Sequence, residues 1–175
     1  MTEPIESAMV VLVPEAEALM RSVRQTFNLE TVQVPAHITV LYPFKPPQEI
    51  TPSLTADLGQ LFGQFRPFRF SLDRLATFPG ALYLVPSPSE PFVELTRVVH
   101  ERFPETPPYR GAFDEIVPHL TLGHVPDERP FERVVAEVED YLGPQLPLEA
   151  VAGEITLFDN SCGEWCVHTK FALGG

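Results

Sequence analysis

One order of segments is written twice in this chain, and that repeat limits what it can fold into more than any bulk property does. An apolar run, MVVLVP (9–14), leads into an amphipathic stretch ending at Phe27. A second, LYLVP (82–86), leads into another ending at Phe103. Each is followed by a short apolar run holding His-x-Thr: PAHITVLYPF with His37 and Thr39, and VPHLTLGHV with His119 and Thr121. Helical stretches come next, SLTADLGQLFGQF (53–65) and FERVVAEVEDYL (131–142). Strand pairs follow, FRFSLDRLATF with ALYLVP and LEAVAGEITLF with EWCVHTKFAL. The registers agree, since Phe78 lies 41 positions after His37 and Phe158 lies 39 after His119. A unit of strand, helix, His-x-Thr strand, helix, strand is predicted twice, the second copy's first strand doubling as the first copy's last.

The two His-x-Thr strings carry the chemistry. In an extended strand, positions i and i+2 share a face. His37 with Thr39, and His119 with Thr121, therefore each present an imidazole beside a hydroxyl, while Ile38 and Leu120 turn into a core. A single His-x-Thr is a common coincidence, and a lone histidine on a strand is usually structural. Two copies in matched surroundings are what make the pattern informative. Opening a phosphate diester requires one group to deprotonate water and another to protonate the departing oxygen. Histidine suits both roles, because its ordinary pKa near 6.5 leaves both protonation states accessible at neutral pH. Threonine hydroxyls can donate to non-bridging oxygens and stabilise developing charge without a metal.

With these motifs, their flanks and its length, the chain resembles the two-histidine (2H) phosphoesterase superfamily, which includes RNA 2′,3′-cyclic phosphodiesterases and 2′-5′ RNA ligases. The resemblance runs from Met9 to about Leu173. It implies an α+β fold: two lobes of antiparallel sheet backed by outer helices, internally duplicated, around a central cleft that carries both motifs. It also implies that His37 and His119 are the acid–base pair and that Thr39 and Thr121 bind the phosphate. One departure stands out. RNA ligase-like members carry basic residues close after the motifs, whereas here the second motif continues Gly123-His124-Val125. That weakens the transfer of an RNA substrate and leaves the phosphodiester chemistry in place.

Bulk properties narrow the class. The 175 residues suffice for one bilobal domain, 1–175, and 44% hydrophobic content is ordinary for a globular protein. The 20 prolines fall at strand ends and in loops, such as Pro46-Pro47, Pro86, Pro88 and Pro107-Pro108, and read as punctuation. An acidic N-terminus without a basic region predicts no signal peptide, and no apolar run reaches membrane-spanning length. A cytoplasmic monomer with no membrane partner is expected. With 24 acidic against 12 basic side chains, the net charge of −12 argues against long nucleic acid, whose binding rests on neutralised phosphates. A small cyclic nucleotide-like substrate or an RNA end fits better.

Other residues are weaker candidates for substrate contact. Tyr42, Phe44 and Lys45 end the first motif strand, Tyr109 and Arg110 lie in the Pro-rich approach to the second, and Trp165 is placed on the last strand. Arg110 suits a terminal phosphate and Trp165 a stacked base, while core packing is the competing reading for Tyr42, Phe44 and Trp165. A solvated surface role competes for Lys45 and Arg110. Cys162 and Cys166, read as extended, stand too far apart for a disulfide. With His168 they lack a fourth ligand, so no metal and no cofactor is expected. His100 is read as a surface residue, and strand parity turns His124 away from the motif face.

The expected activity is metal-independent hydrolysis of a 2′,3′-cyclic phosphate or related cyclic diester to a phosphomonoester. Two alternatives remain: sealing of RNA ends through a 2′-5′ bond by the reverse chemistry, and a non-catalytic nucleotide sensor on the same fold. Two titratable histidines speak against mere binding.

Overall fold

Alternation and amphipathic spacing are realised as eight strands and four α-helices among the described residues, 5–174 of the computed structural model. The chain runs β1 (Ser7–Leu12), α1 (Glu17–Phe27), β2 (His37–Leu41), α2 (Pro52–Phe62), β3 (Phe68–Phe78) and β4 (Ala81–Ser87). It continues α3 (Glu90–Arg102), β5 (Leu120–His124), α4 (Phe131–Leu142), β6 (Leu148–Ala152), β7 (Glu154–Asp159) and β8 (Cys166–Ala172). Two four-stranded antiparallel sheets result, ordered β2-β1-β7-β8 and β5-β4-β3-β6.

Each helix forms for local reasons and buries one stripe. In α1 the buried Leu19, Met20, Val23 and Phe27 follow helical spacing, and Asn28 closes the helix in the left-handed conformation. Thr51 caps α2 by accepting from the Leu54 amide at 3.2 Å, with Pro52 in the first turn, where it forfeits no helical bond. Val134, Val138 and Leu142 make the buried stripe of α4. These stripes join Ile38, Phe92, Leu95 and Leu120 in one core that takes side chains from both sheets and all four helices.

The α+β, two-sheet architecture matches the expected one, with one difference in strand assignment. The run LEAVAGEITLF is not one strand. It breaks at Gly153 into β6, which pairs with β3 in the second sheet, and β7, which pairs with β1 in the first. The chain thereby returns to the first lobe to complete it.

The helices cross between lobes: α1 lies against β5 and α3 against β2. This exchange coincides with a duplicated irregularity. The β1–β2 register shifts between Met9 and Val10, opposite Leu41 and Thr39, which leaves Val40 as an extra residue. The β4–β5 register shifts between Leu82 and Tyr83, opposite Gly123 and Thr121, which leaves Leu122 extra. A bulged residue lacks its ladder partner, and here the partner comes from the crossing helix. Thr96 of α3 donates its hydroxyl to the Val40 carbonyl at 2.6 Å. Arg24 of α1 donates Nε to the Leu122 carbonyl at 2.6 Å and a second N–H to Thr121 at 3.2 Å. Both clamps fall on the third residue after a motif histidine.

Gly123 allows one further approach. The segment after α1 runs beside β5, where Glu30 and His124 exchange backbone bonds of 2.8 and 2.7 Å. A Cβ on Gly123 would stand 2.8 Å from both the Glu30 carbonyl oxygen and the Leu29 Cβ, too close for any side chain.

Candidate active site

Both motifs alternate as strand parity requires. Ile38, Val40, Leu120 and Leu122 are buried, whereas His37, Thr39, His119 and Thr121 are half-buried on the opposite face. The motif strands β2 and β5 are in contact across the sheets. His37 opens β2, and His119 immediately precedes β5.

The two histidines are held alike. His37 Nδ1 is 2.7 Å from the Pro35 carbonyl and His119 Nδ1 is 2.6 Å from that of Val117, each two residues upstream. A carbonyl only accepts, so Nδ1 carries the proton in both rings and Nε2 is the nitrogen left to titrate. Burial pushes the His37 pKa below the ordinary histidine value. The bond to Pro35 opposes that shift, the positive charges of His119 and Arg24 add to it, and Glu17 works against them. Burial also pushes His119 down, opposed by its bond to Val117. Each imidazole is therefore biased towards its neutral form.

Around His119 the wall is aromatic. Phe78 and Tyr83 stack at 4.3 Å, and both meet the imidazole edge-on, at 5.1 and 5.5 Å between ring centres. Around His37 it is hollow. A cavity of about 300 Å³ has His37, Thr39, Val34, Tyr42 and Trp165 in its wall, and Val34, Tyr42 and Trp165 pack in turn on the buried Ala8, Val10 and Phe158. That is at the lower end of small-molecule sites, about 300–1,000 Å³.

The weaker candidates divide. Tyr109 reaches the motif: its hydroxyl lies near Thr39, and burial pushes its pKa up. Tyr42 and Trp165, both lining the cavity, meet edge-to-face at 6.0 Å, and the Tyr42 hydroxyl donates to Glu6 at 2.5 Å. Trp165 sits one residue before β8 rather than on it. Lys45 and Arg110 are ion-paired, with Glu105 and Glu6. Together with the Tyr109 amide bonded to the Tyr42 carbonyl at 2.6 Å, these pairs fasten the segment before β5 onto the first sheet. Tyr109 and Arg110 both adopt left-handed backbone, at φ 50° and 55°, an uncommon conformation for side-chain-bearing residues. Phe44 is core, edge-on to Phe103.

Two expectations are corrected. Cys162 and Cys166 form a disulfide, with Cα atoms 7.0 Å apart. The chain turns at residues 160–163, with Gly163 at φ 93°, so the extended spacing assumed for the pair does not apply. His100 is not a plain surface residue. Its Nδ1 is buried without a protein partner, and it lines a second cavity of about 250 Å³, with Thr39, Thr96 and Tyr109, behind the first motif. His124 is exposed, as parity suggested. Among the described residues, no three His, Cys, Asp or Glu side chains gather as a metal set, and no helix is long and apolar enough to cross a membrane.

Sequence reasoning missed Arg24, Val10, Phe78, Tyr83 and Phe158 as neighbours of the histidines. Only the matched register of Phe78 and Phe158 hinted at them.

Comparison with known proteins gives concordant results. A family model described as the 2′-5′ RNA ligase superfamily matches residues 12–163. A Geobacillus kaustophilus protein provisionally named a phosphoesterase is 25% identical over 164 residues, which cover 88% of this chain and 87% of its own. A Bacillus licheniformis protein named in the same way is 22% identical over 177 residues, covering 94% and 97%. TT0787 of Thermus thermophilus shares the fold with a TM-score of 0.67 at 19% identity, covering 97% of this chain and 98% of its own. E. coli LigT in its apo form does so with a TM-score of 0.65 at 16% identity, covering 99% and 100%. LigT has also been solved in complex with 3′-AMP, ATP and NADP+.

Proposed function

Because this chain belongs to the 2′-5′ RNA ligase superfamily, we propose that it is a phosphoesterase that opens a cyclic phosphodiester, a 2′,3′-cyclic phosphate or a close relative, to a phosphomonoester without a metal. The observation that carries this reading is the pair of histidines fixed through Nδ1, with Nε2 of each left to move a proton. One Nε2 accepts the proton of the attacking water as the new P–O bond forms. The other gives its proton to the ribose oxygen as the old P–O bond breaks. Thr39 and Thr121, on the same faces as their histidines, donate to the non-bridging oxygens, where charge accumulates. The lowered pKa values favour neutral imidazole for the base and make whichever ring acts as acid a readier donor.

Hydrolysis of 2′,3′-cyclic AMP in the presence of EDTA, followed by phosphorus NMR, tests this reading. Turnover should survive the chelator, and His37→Ala and His119→Ala should each lose about 10²–10⁴-fold in rate while melting like the wild type. Turnover that EDTA abolishes would refute metal independence. Folded variants that retain full activity would remove the two-histidine mechanism.

A further inference from the structure

Helix α1 turns one face to the core and another to a cavity that the proposed chemistry does not use. Glu17, Arg21, Arg24 and Gln25 recur at helical spacing, away from the buried stripe of the helix. With Thr31, Gln33 and Pro35, and with Glu164 from the loop before β8, they wall a cavity of about 590 Å³. Two contacts set it beside the motifs. Pro35 is the residue whose carbonyl anchors His37, and Arg24 bonds the Leu122 and Thr121 carbonyls of β5.

The cations of this cavity are uncommitted. The chain has twice as many acidic as basic side chains, and most of the basic ones stand in ion pairs, as Arg97, Arg110 and Lys170 do. Arg21 has no ion-pair or hydrogen-bond partner among the described residues. Arg24 spends Nε and Nη2 on backbone carbonyls, which carry no charge to cancel its own, and Nη1 is left over. Of the two carboxylates, Glu17 is already held, accepting from the Ala36 amide at 2.8 Å, and Glu164 is exposed on the loop between β7 and β8.

We propose that this cavity is an anion subsite, in which Arg21 and Arg24 hold a second phosphate of the substrate while the first lies at the histidines. The proposal rests on the phosphodiester reading above and narrows its substrate class to a cyclic phosphate on a molecule that carries a further phosphate. That further group is a terminal monoester or the neighbouring diester of an RNA end, and both present the same charged oxygens. Guanidinium groups suit them, because each can donate two parallel N–H bonds to one phosphate. Gln25 and Gln33 add neutral amide donors. Glu164 opposes the anion and keeps its affinity below what the arginines alone would give.

Isothermal titration calorimetry reads the subsite without turnover. Adenosine 2′,5′-bisphosphate should bind about tenfold or more tightly than adenosine 2′-monophosphate. The dinucleotide ApA with a terminal 2′-phosphate, set against the same monophosphate, offers the second group as a diester, and the larger of the two advantages names its source. Arg21→Gln should remove most of the advantage, and Glu164→Gln should increase it. Arg21 is exposed and unbonded, so the variant should keep wild-type circular dichroism. Equal affinities for one-phosphate and two-phosphate ligands would overturn the proposal. So would an advantage that survives Arg21→Gln or falls in Glu164→Gln. If the wild type hydrolyses no cyclic diester, yet shows an advantage that Arg21→Gln removes, the subsite stands and only the reaction proposed above falls.

Discussion

At the scale of single residues, the two histidines share one anchoring scheme but not one electrostatic setting. Each is depressed mainly by burial, and His37 also feels the charge of Arg24, which reaches across from α1 to hold β5. Two consequences follow for the pH dependence. An acid that must be protonated loses function as pH rises through its pKa, and a base that must be neutral loses function as pH falls through its own. With both pKa values lowered, the bell-shaped profile of kcat/KM should be centred on the acid side of about 6.5. Arg24→Gln removes a positive charge near His37, which makes the imidazolium easier to form and raises its pKa. The limb belonging to His37 should then move to higher pH while the other stays. A profile in which neither limb moves would mean that Arg24 acts on β5 alone.

At the scale of elements, the informative feature is a helix from one lobe satisfying a bulged strand of the other. Thr96 is buried, and its hydroxyl serves the Val40 carbonyl one residue beyond Thr39. Thr96→Val keeps the shape and removes the donor, leaving a buried carbonyl unpaired at a cost of about 1–3 kcal/mol. Urea denaturation should show that loss, and Thr96→Ser should restore most of it. An unchanged midpoint in the valine variant would mean that the bulge holds its place without the clamp. The 160–166 loop is fixed in a similar local way: the Cys162–Cys166 disulfide closes it just where Trp165 lines the cavity beside His37, and Asp159 accepts from the Ser161 amide at 2.9 Å.

At the scale of the whole molecule, the lobes are two halves of one body. The core is continuous through both sheets, and α1 and α3 are each packed on the opposite lobe's motif strand. Unfolding should accordingly be a single cooperative transition. Trp165 emission, which reports the first sheet, and amide exchange in β3 and β4, which reports the second, should give one stability. Two separated transitions would show that the lobes fold independently. Much of this was legible beforehand. Alternation in HITVL and LTLG set which face carries His37, Thr39 and Thr121, and amphipathic spacing placed α4 at residues 131–142 and β3 at 68–78. Those features depend on the identity of near neighbours in the chain, which is what periodicity reports. What depends on contacts between distant residues was not legible. The split at Gly153, the disulfide closed by a turn, the crossing of Arg24 and Thr96 to the other lobe's bulge, and the aromatic wall of Phe78 and Tyr83 around His119 belong to that class. The sequence by itself determined the repeat and the motif-bearing faces, because strand and helix periods are local. Only the tertiary structure decided what surrounds each histidine, an aromatic wall at His119 and a cavity at His37, because that follows from the register of strands distant in sequence and from the side chains it sets against one another.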